Sequence, residues 1–220
     1  MTSYFGIVPS NELKSNIEIA HKNRNNSEPQ YPLRDKMALK LNDELIESLL
    51  IDLVKHLPAS EKRDTAEKLA GYVRSTVSVL LKQLLSKTPN EQVLKSLEFL
   101  EKSLFTDNDD QQRIGVELPD DLVSQMRASF AEVYAGNGKA QREPLAHQFK
   151  LFADKIIKHY LTDFNKTLDL GLIKRKASDL ATSAVGKAVH MAIDKLFPSL
   201  SQDELHAVAK HFDEVLIQKK

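Results

Sequence analysis

The chain carries a pattern of glycines, prolines, helix starts and apolar positions that recurs after roughly 110 residues. Gly6-Ile7-Val8-Pro9 opens one run of predicted helices, and Gly115-Val116-Glu117-Leu118-Pro119 opens a second. A repeat constrains the fold more than any single motif does, because each copy is expected to form the same supersecondary unit. The recurrence therefore predicts two tandem helical units.

Most of the matched positions preserve apolar character and only a few are identical. Leu50 matches Leu161 and Val77 matches Val189 when the two halves are aligned. Amphipathic helices share the 3.6-residue period, so chance similarity between two helical stretches is the alternative explanation. The common order of the prolines, glycines and helix starts favours a duplication.

The expected fold class is all-α, with about eight helices in two tandem four-helix units that are related by internal pseudo-symmetry. Residues 1–105 are predicted to form the first unit, 106–113 an acidic linker and 114–220 the second unit. The two units either pack as one body or form two loosely joined bundles. Strand signals are nearly absent.

Local signals set the expected helix boundaries. Ser60, Thr88 and Ser201 each precede an apolar periodic segment, and their side chains are predicted to act as N-caps. Pro144 is predicted to open a long helix, because a proline in the first turn loses no hydrogen bond.

Composition limits the chemistry that the chain can perform. It contains no cysteine, which excludes disulfides, thiolate catalysis and cysteine-ligated metals, and its formal net charge is zero. The balanced charge gives no nucleic-acid signature. No signal peptide and no apolar stretch that could span a membrane is evident, so we expect a cytoplasmic protein. A high lysine and asparagine content favours a bacterial source with an AT-rich genome.

Two motifs resemble metal sites without meeting their requirements. Residues 107–112 resemble the start of a calcium loop but lack the glycine at the sixth position, and Leu118 occupies the place of the bidentate glutamate. Glu18 and His21 have the spacing of di-metal bundles, but the second unit has no matching pair. We therefore expect a solvated linker, a surface histidine, and neither a metal nor another cofactor.

Basic residues recur at corresponding helix starts as Lys62-Arg63 and Lys174-Arg175-Lys176. Positive charge at a helix N-terminus opposes the helix dipole, so its presence in both units favours binding of an anion or an acidic partner. The alternative, ordinary solubilising charge, is favoured by the acidic residues that flank both clusters.

Small residues mark one face of the helix predicted near residues 174–197. They are Ala177, Ala181, Ala184, Ala188 and Ala192. Such a face permits an approach of about 8 Å between helix axes, so we expect this helix to cross between the two units. The alternative is that this face mediates self-association, in which case the protein would be a homo-oligomer.

Three classes of function remain open. The first is a non-enzymatic helical interaction protein that regulates, adapts or inhibits another protein, since no triad, phosphate-loop or dinucleotide motif is present. The second is a bundle that binds an apolar small molecule where the units meet, with a pocket lined by Phe149, Phe152, Tyr160 and Phe164. The third is an enzyme whose site is assembled only by the fold. Aromatic residues at helical spacing more often belong to the hydrophobic core than to a ligand pocket.

Overall fold

The structure is a computed structural model, and it describes residues 2–219. Helix accounts for 74% of the chain, and the remaining regular structure is a small four-stranded sheet. The predicted helical class is confirmed, whereas the sheet was not predicted.

The first half of the chain contains helices α1 to α5. Their bounds are Asn11–Lys22 for α1, Tyr31–Ile46 for α2, Asp52–His56 for α3, Glu61–Leu84 for α4 and Asn90–Lys102 for α5. A π-helical turn over Glu47–Ile51 joins α2 directly to α3.

The second half contains helices α6 to α9. Their bounds are Asp120–Tyr134 for α6, Gly138–Ile157 for α7, Leu172–Leu196 for α8 and Gln202–Asp213 for α9. A second π-helical turn, Lys158–Asp163, extends α7. Short 3₁₀ turns over Lys166–Leu168 and Phe197–Ser199 flank α8.

The sheet joins the beginning, the middle and the end of the chain. Its strands are β1 (Thr2–Ile7), β2 (Leu104–Thr106), β3 (Gln112–Leu118) and β4 (Leu216–Lys219), in the spatial order β2-β3-β1-β4. All neighbouring strands are antiparallel, and Gly6 of β1 is paired with Gly115 of β3. The sheet therefore connects both halves of the chain.

The segments around these two glycines precede the first helix of each half, α1 and α6, as expected, but neither segment was predicted to be a strand. They are the central strands of the sheet, β1 and β3. A short apolar run cannot be assigned to strand or helix by periodicity alone. The pairing between β1 and β3 also joins residues more than a hundred positions apart, so no local signal reveals it.

Residues 106–113, the predicted linker, lie largely in a hairpin between β2 and β3. Thr106 ends β2 and Gln112 begins β3. The Asp107 carboxylate accepts hydrogen bonds from the backbone N–H groups of Asp109 and Gln111, which fixes the turn. Acidic and amide side chains therefore serve here as turn formers.

Two of the three predicted N-caps are confirmed. The Ser60 hydroxyl accepts from the Arg63 N–H, and Ser201 forms a reciprocal capping box with Glu204. The Thr88 prediction is wrong, because Pro89 occupies the N-cap position of α5 without a side-chain hydrogen bond.

The prediction that Pro144 opens a helix is also wrong. Helix α7 begins six residues earlier, at Gly138, and contains Pro144 in its interior. An interior proline removes one intrahelical hydrogen bond and crowds the carbonyl four residues earlier, a cost that packing of the helix can offset. The preceding turns can therefore form despite it.

Helix α8 contacts a helix of each half of the chain, as expected, but its alanine face is only partly covered. Among the described side chains of α8, only Ser178 and Val185 are buried. Ala177 and Ala184 are exposed, while Ala192 is half-buried. Helix α8 packs on α4 and α7, and much of its alanine face lies on the uncovered side.

The largest buried cluster draws side chains from both halves of the chain, from Phe5 in β1 to Leu216 in β4. A second buried cluster lies between α4 and α8 and includes Val77, Leu81 and Val185. Apolar residues at helical spacing in α1, α2, α5, α6, α7 and α9 supply most of the first cluster, and those in α2 and α4 supply most of the second, as the 3.6-residue period predicts.

Candidate functional site

An apolar cavity of about 190 Å³ lies among α2, α4, α7, α8 and α9. Of the side chains that line it, only those of Asn42 and Tyr160 carry polar atoms. The apolar lining residues come from both halves of the chain: Leu45, Ile46, Leu49, Leu50, Leu53, Val54, Ala66, Leu69, Val73, Val77, Phe149, Phe152, Ala153, Ile156, Ile157, Leu161, Val185, Val189, Ala192, Ile193, Leu196, Phe197, Val208 and Phe212.

Three of the four aromatic residues singled out from the sequence line this cavity. They are Phe149, Phe152 and Tyr160, whereas Phe164 lies against a second cavity of about 20 Å³. Phe149 and Phe212 meet edge to face, with their ring centroids 4.5 Å apart. These aromatic side chains therefore pack against one another in the core and also form part of the cavity wall.

Both π-helical turns contribute to the cavity wall. The first supplies Leu49 and Leu50, and the second supplies Tyr160 and Leu161. Well under 1% of residues in globular proteins are π-helical, and π turns occur frequently at functional sites. The Ser48 carbonyl in the first turn accepts a hydrogen bond from Nε2 of His211 on α9, at 2.7 Å.

Tyr160 is the one lining residue with a hydroxyl group. It contributes to the walls of both cavities, and its hydroxyl is buried without a hydrogen-bond partner among residues 2–219. Burial raises the pKa of this hydroxyl well above its ordinary value, so the group stays protonated. A buried hydroxyl without a partner destabilises a fold by about 1–3 kcal/mol.

The first predicted basic cluster already has partners within the chain. Lys62 Nζ donates to the Ser199 carbonyl at 2.6 Å and to Glu204 Oε2 at 2.9 Å. Arg63 Nη1 donates to the Leu57 carbonyl at 3.4 Å. Lys62 therefore holds the start of α4 against the start of α9.

Burial would raise the pKa of the Glu204 carboxyl, but hydrogen bonds from Ser201 and the Lys62 ammonium outweigh it. The net pKa of Glu204 is lowered, so this buried carboxyl is charged at neutral pH.

The second predicted cluster is exposed. Lys174, Arg175 and Lys176 lie in the first turn of α8, and none of them forms an ion pair within residues 2–219. Ser199 follows the end of α8 and contacts Lys62 at the start of α4, so these two helices run antiparallel. The two basic clusters consequently lie at opposite ends of the helix pair and form no common surface.

An exposed stripe follows the same helix. It consists of Ile173, Ala177, Leu180, Ala184, Lys187 and Met191, all of which are exposed. We call these six residues the α8 stripe. The exposed fraction reaches 85% at Ile173, 73% at Leu180 and 71% at Met191. From the sequence, only the alanines of this stripe were identified, because an amphipathic pattern does not reveal which face of a helix is covered by the rest of the protein.

One serine–histidine pair has the geometry of a catalytic dyad but the environment of a structural contact. Ser103 Oγ lies 3.0 Å from His159 Nε2, yet the hydroxyl also donates to the Phe99 carbonyl. Ser103 is 3% exposed, and neither cavity is lined by it. Burial lowers the pKa of His159. The pair therefore joins α5 to the π turn after α7.

The residues of the two motifs that resembled metal sites contact other side chains and backbone groups of the chain. His21 Nδ1 lies 3.3 Å from Glu101, and the Asp107 carboxylate holds Arg113 and its own turn. Across residues 2–219, no three or more histidine or carboxylate side chains are grouped closely enough to hold a metal ion.

No protein-family model matches the chain, and no curated protein or solved structure is significantly similar to it. Within the described part of the chain, no helix is long and apolar enough to cross a bilayer.

Proposed function

We propose that the protein binds an apolar small molecule in the cavity between α2, α4, α7, α8 and α9. The supporting observation is an apolar void of about 190 Å³ whose wall is drawn from both halves of the chain. A cavity of about 150 Å³ lined by leucine, isoleucine and phenylalanine stays dry and binds benzene. The ligand we propose is therefore somewhat larger than a single aromatic ring.

The apolar wall of the cavity supports this function. The cavity is partly open to solvent, so its lining keeps apolar side chains in contact with water when no ligand is bound. A ligand that fills the void restores the missing dispersion contacts, so binding and folding stability are coupled.

The lining chemistry favours a carrier or receptor over an enzyme. Asn42 and Tyr160 supply the polar atoms, and no carboxylate, imidazole or amine of residues 2–219 lines the cavity. General acid–base catalysis needs such groups within hydrogen-bond reach of the substrate. Tyr160 carries the one hydroxyl among the described lining side chains, and because this hydroxyl has no partner among residues 2–219, we propose that it meets a ligand that carries a single polar group.

The proposal is tested by thermal unfolding in the presence of benzene, naphthalene and pyrene. A ligand at about a hundred times its Kd stabilises the native state by about 2.7 kcal/mol, which is about 5–10 °C in Tm for a chain of this size. We expect naphthalene to raise Tm the most and pyrene to be excluded by its size.

Two variants fill the cavity and one control leaves it open. Ala192→Leu on α8 and Ala153→Leu on α7 each add side-chain volume to the lining, and both should abolish the naphthalene response. Ala184→Leu makes the same change at an exposed position of α8 and should retain it. An unchanged Tm of the parent protein with every probe, or an equal response in all three variants, would contradict the proposal.

An interaction with another protein is the second candidate, and a separate observation favours it. The α8 stripe leaves three large apolar side chains exposed on one helix, and an exposed apolar patch is typical of an interaction site.

A further inference from the structure

We propose that the α8 stripe is the docking site for an amphipathic helix of another protein, and that this partner helix carries acidic residues beside its apolar seam. The inference is independent of the cavity. Val185, Ala192 and the other cavity-lining residues of α8 lie on a different face of that helix from the stripe.

The spacing of the stripe fits a helical partner. Its residues follow one another at alternating intervals of four and three, which is the a and d pattern of a coiled-coil seam. The stripe covers residues 173–191 of α8 and is about 27 Å long, so the seam extends over nearly three heptads.

The sizes of the side chains favour a helix over a flat surface. Large residues at 173, 180 and 191 alternate with Ala177 and Ala184, which produces protrusions separated by shallow holes. Knobs-into-holes packing requires such alternation. A membrane-surface helix instead presents a broad face of bulky residues, and a narrow stripe containing two alanines offers it little apolar area.

The charges beside the stripe select an acidic partner. The flanking e and g positions of the heptad hold Lys174, Lys176, His190 and Lys195, with no acidic residue. Charges at e and g determine which helix pairs with which. The lysines of this set have no ion pair among residues 2–219, so they are free to contact a partner.

The same charges disfavour a second copy of this chain as the occupant. Parallel pairing of two α8 stripes would place Lys174 and Lys176 beside their own counterparts. Antiparallel pairing would place them beside the far end of the partner stripe, where the flanking positions hold His190 and Lys195. Neither orientation brings opposite charges together across the flanks, and like charges facing each other destabilise a pair.

The test uses the full-length protein and a labelled synthetic helix of four heptads. This acidic peptide has isoleucine at a, leucine at d and glutamate at e and g, and its own charge repulsion opposes self-pairing. A matched basic peptide has lysine in place of every glutamate. Fluorescence anisotropy should show that the parent protein binds the acidic peptide and not the basic one, with weaker binding as salt is raised.

Two sets of variants connect the binding to the α8 stripe. Leu180→Glu should weaken binding of the acidic peptide at least about tenfold, because a leucine that the peptide would bury becomes a charge. Ile19→Glu, a comparable change at an exposed residue of α1, should leave binding unchanged. The double variant Lys174→Glu/Lys176→Glu should prefer the basic peptide, an exchange that a folding defect cannot produce. Far-ultraviolet circular dichroism checks that each variant is folded.

Three results would overturn the proposal. The first is that the parent protein fails to bind the acidic peptide, or binds both peptides equally. The second is binding to phosphatidylserine vesicles without binding to the peptide, which would assign the stripe to a lipid surface. The third is a concentration-dependent dimer in light scattering that Leu180→Glu dissociates, which would make a second copy the occupant.

Discussion

Gly6 and Gly115 face each other across the two central strands of the sheet, where β1 and β3 approach too closely for a side chain between them. A Cβ atom added at Gly115 would overlap the backbone carbonyl oxygen of Phe5. We therefore expect Gly115→Ala to destabilise the fold by about 3 kcal/mol or more, because the backbone itself must move. Denaturant unfolding followed by circular dichroism measures the change.

Two further glycine-to-alanine variants provide a comparison for the loss of stability expected of Gly115→Ala. At Gly6 the added Cβ would meet the end of the Phe105 ring, which can shift, so Gly6→Ala should cost less than Gly115→Ala. At Gly71 in α4 nothing lies within 4 Å, and Gly71→Ala should stabilise the protein by about 0.5–1 kcal/mol. Equal stabilities of all three variants would show that the strands are not paired in this register.

The ion pair between Lys62 and Glu204 predicts a loss of stability in acid. Because the folded-state pKa of Glu204 is lowered, its contribution is present above the ordinary glutamate pKa and is lost as pH falls through the folded-state value. The free energy of unfolding should therefore decrease from about pH 5 to pH 3. Glu204→Gln should be less stable than the parent at neutral pH. Its free energy of unfolding should also change less between about pH 5 and pH 3.

A matched control separates this effect from the general acid sensitivity of the chain. Glu67 is exposed on α4, and Glu67→Gln should reproduce the pH profile of the parent. The Asp107 carboxyl, whose pKa is lowered chiefly by Arg113, should keep part of the acid dependence in both variants. If Glu204→Gln has the same pH profile as Glu67→Gln, the lowered pKa of Glu204 is wrong.

Ser201 and Thr88 were both predicted to be N-caps, but only Ser201 caps a helix in the structure. Replacing the two residues should therefore change the stability of the protein by different amounts. Ser201 accepts a hydrogen bond from the Glu204 N–H and is part of a capping box, so Ser201→Ala should cost about 1 kcal/mol. Thr88 caps nothing, and its hydroxyl lies 3.5 Å from Arg34 Nη2, the outer limit for a hydrogen bond. Thr88→Ala should cost less than half as much as Ser201→Ala in thermal unfolding. The reverse order would mean that α5 is capped by Thr88 after all.

Tyr160→Phe should have opposite effects on the empty protein and on ligand binding. Removing a buried hydroxyl that has no partner should stabilise the empty protein by about 1 kcal/mol. The same change should leave naphthalene binding intact and remove any preference for 1-naphthol over naphthalene. Thermal unfolding with and without each compound gives both quantities. A destabilised variant would indicate that the hydroxyl has a partner in solution.

Helix boundaries with a chemical signal were predictable from the sequence. Ser60 and Ser201 were identified as caps because a short hydroxyl side chain precedes an apolar period. The pairing of β1 and β4 was not predictable, since β1 pairs only with segments more than a hundred residues away, whereas the β2–β3 hairpin is local and was interpreted as a linker. Pro144 was misplaced because its ring excludes one hydrogen bond and does not forbid helix in the turn before it.

The candidate site was predictable only in part. Phe149, Phe152 and Tyr160 were expected to line a pocket if one existed, but the void itself depends on how five helices fail to fill a common space. No residue pattern predicts the two π-helical turns. Lys62 was predicted to bind an anion or acidic partner, or else to be solubilising charge, and its contact with Glu204 could not be foreseen because the two residues are 142 positions apart.

The internal repeat stays a prediction. The two π turns begin at Glu47 and Lys158, positions that the repeat alignment matches. Strands also precede the helices of each half. A superposition of residues 42–105 on 154–217 in an experimental structure would test the duplication, and a different helix topology in the two segments would reject it.

Calorimetric titration of 1-naphthol into the parent protein and into Ala192→Leu tests the central claim most directly. The proposal predicts binding of one equivalent to the parent, with a negative heat-capacity change because apolar surface is removed from water. It predicts no measurable binding to Ala192→Leu, whose added side chain occupies the cavity. Absence of binding to the parent, or equal binding to both proteins, would contradict the assignment of this cavity as the ligand site.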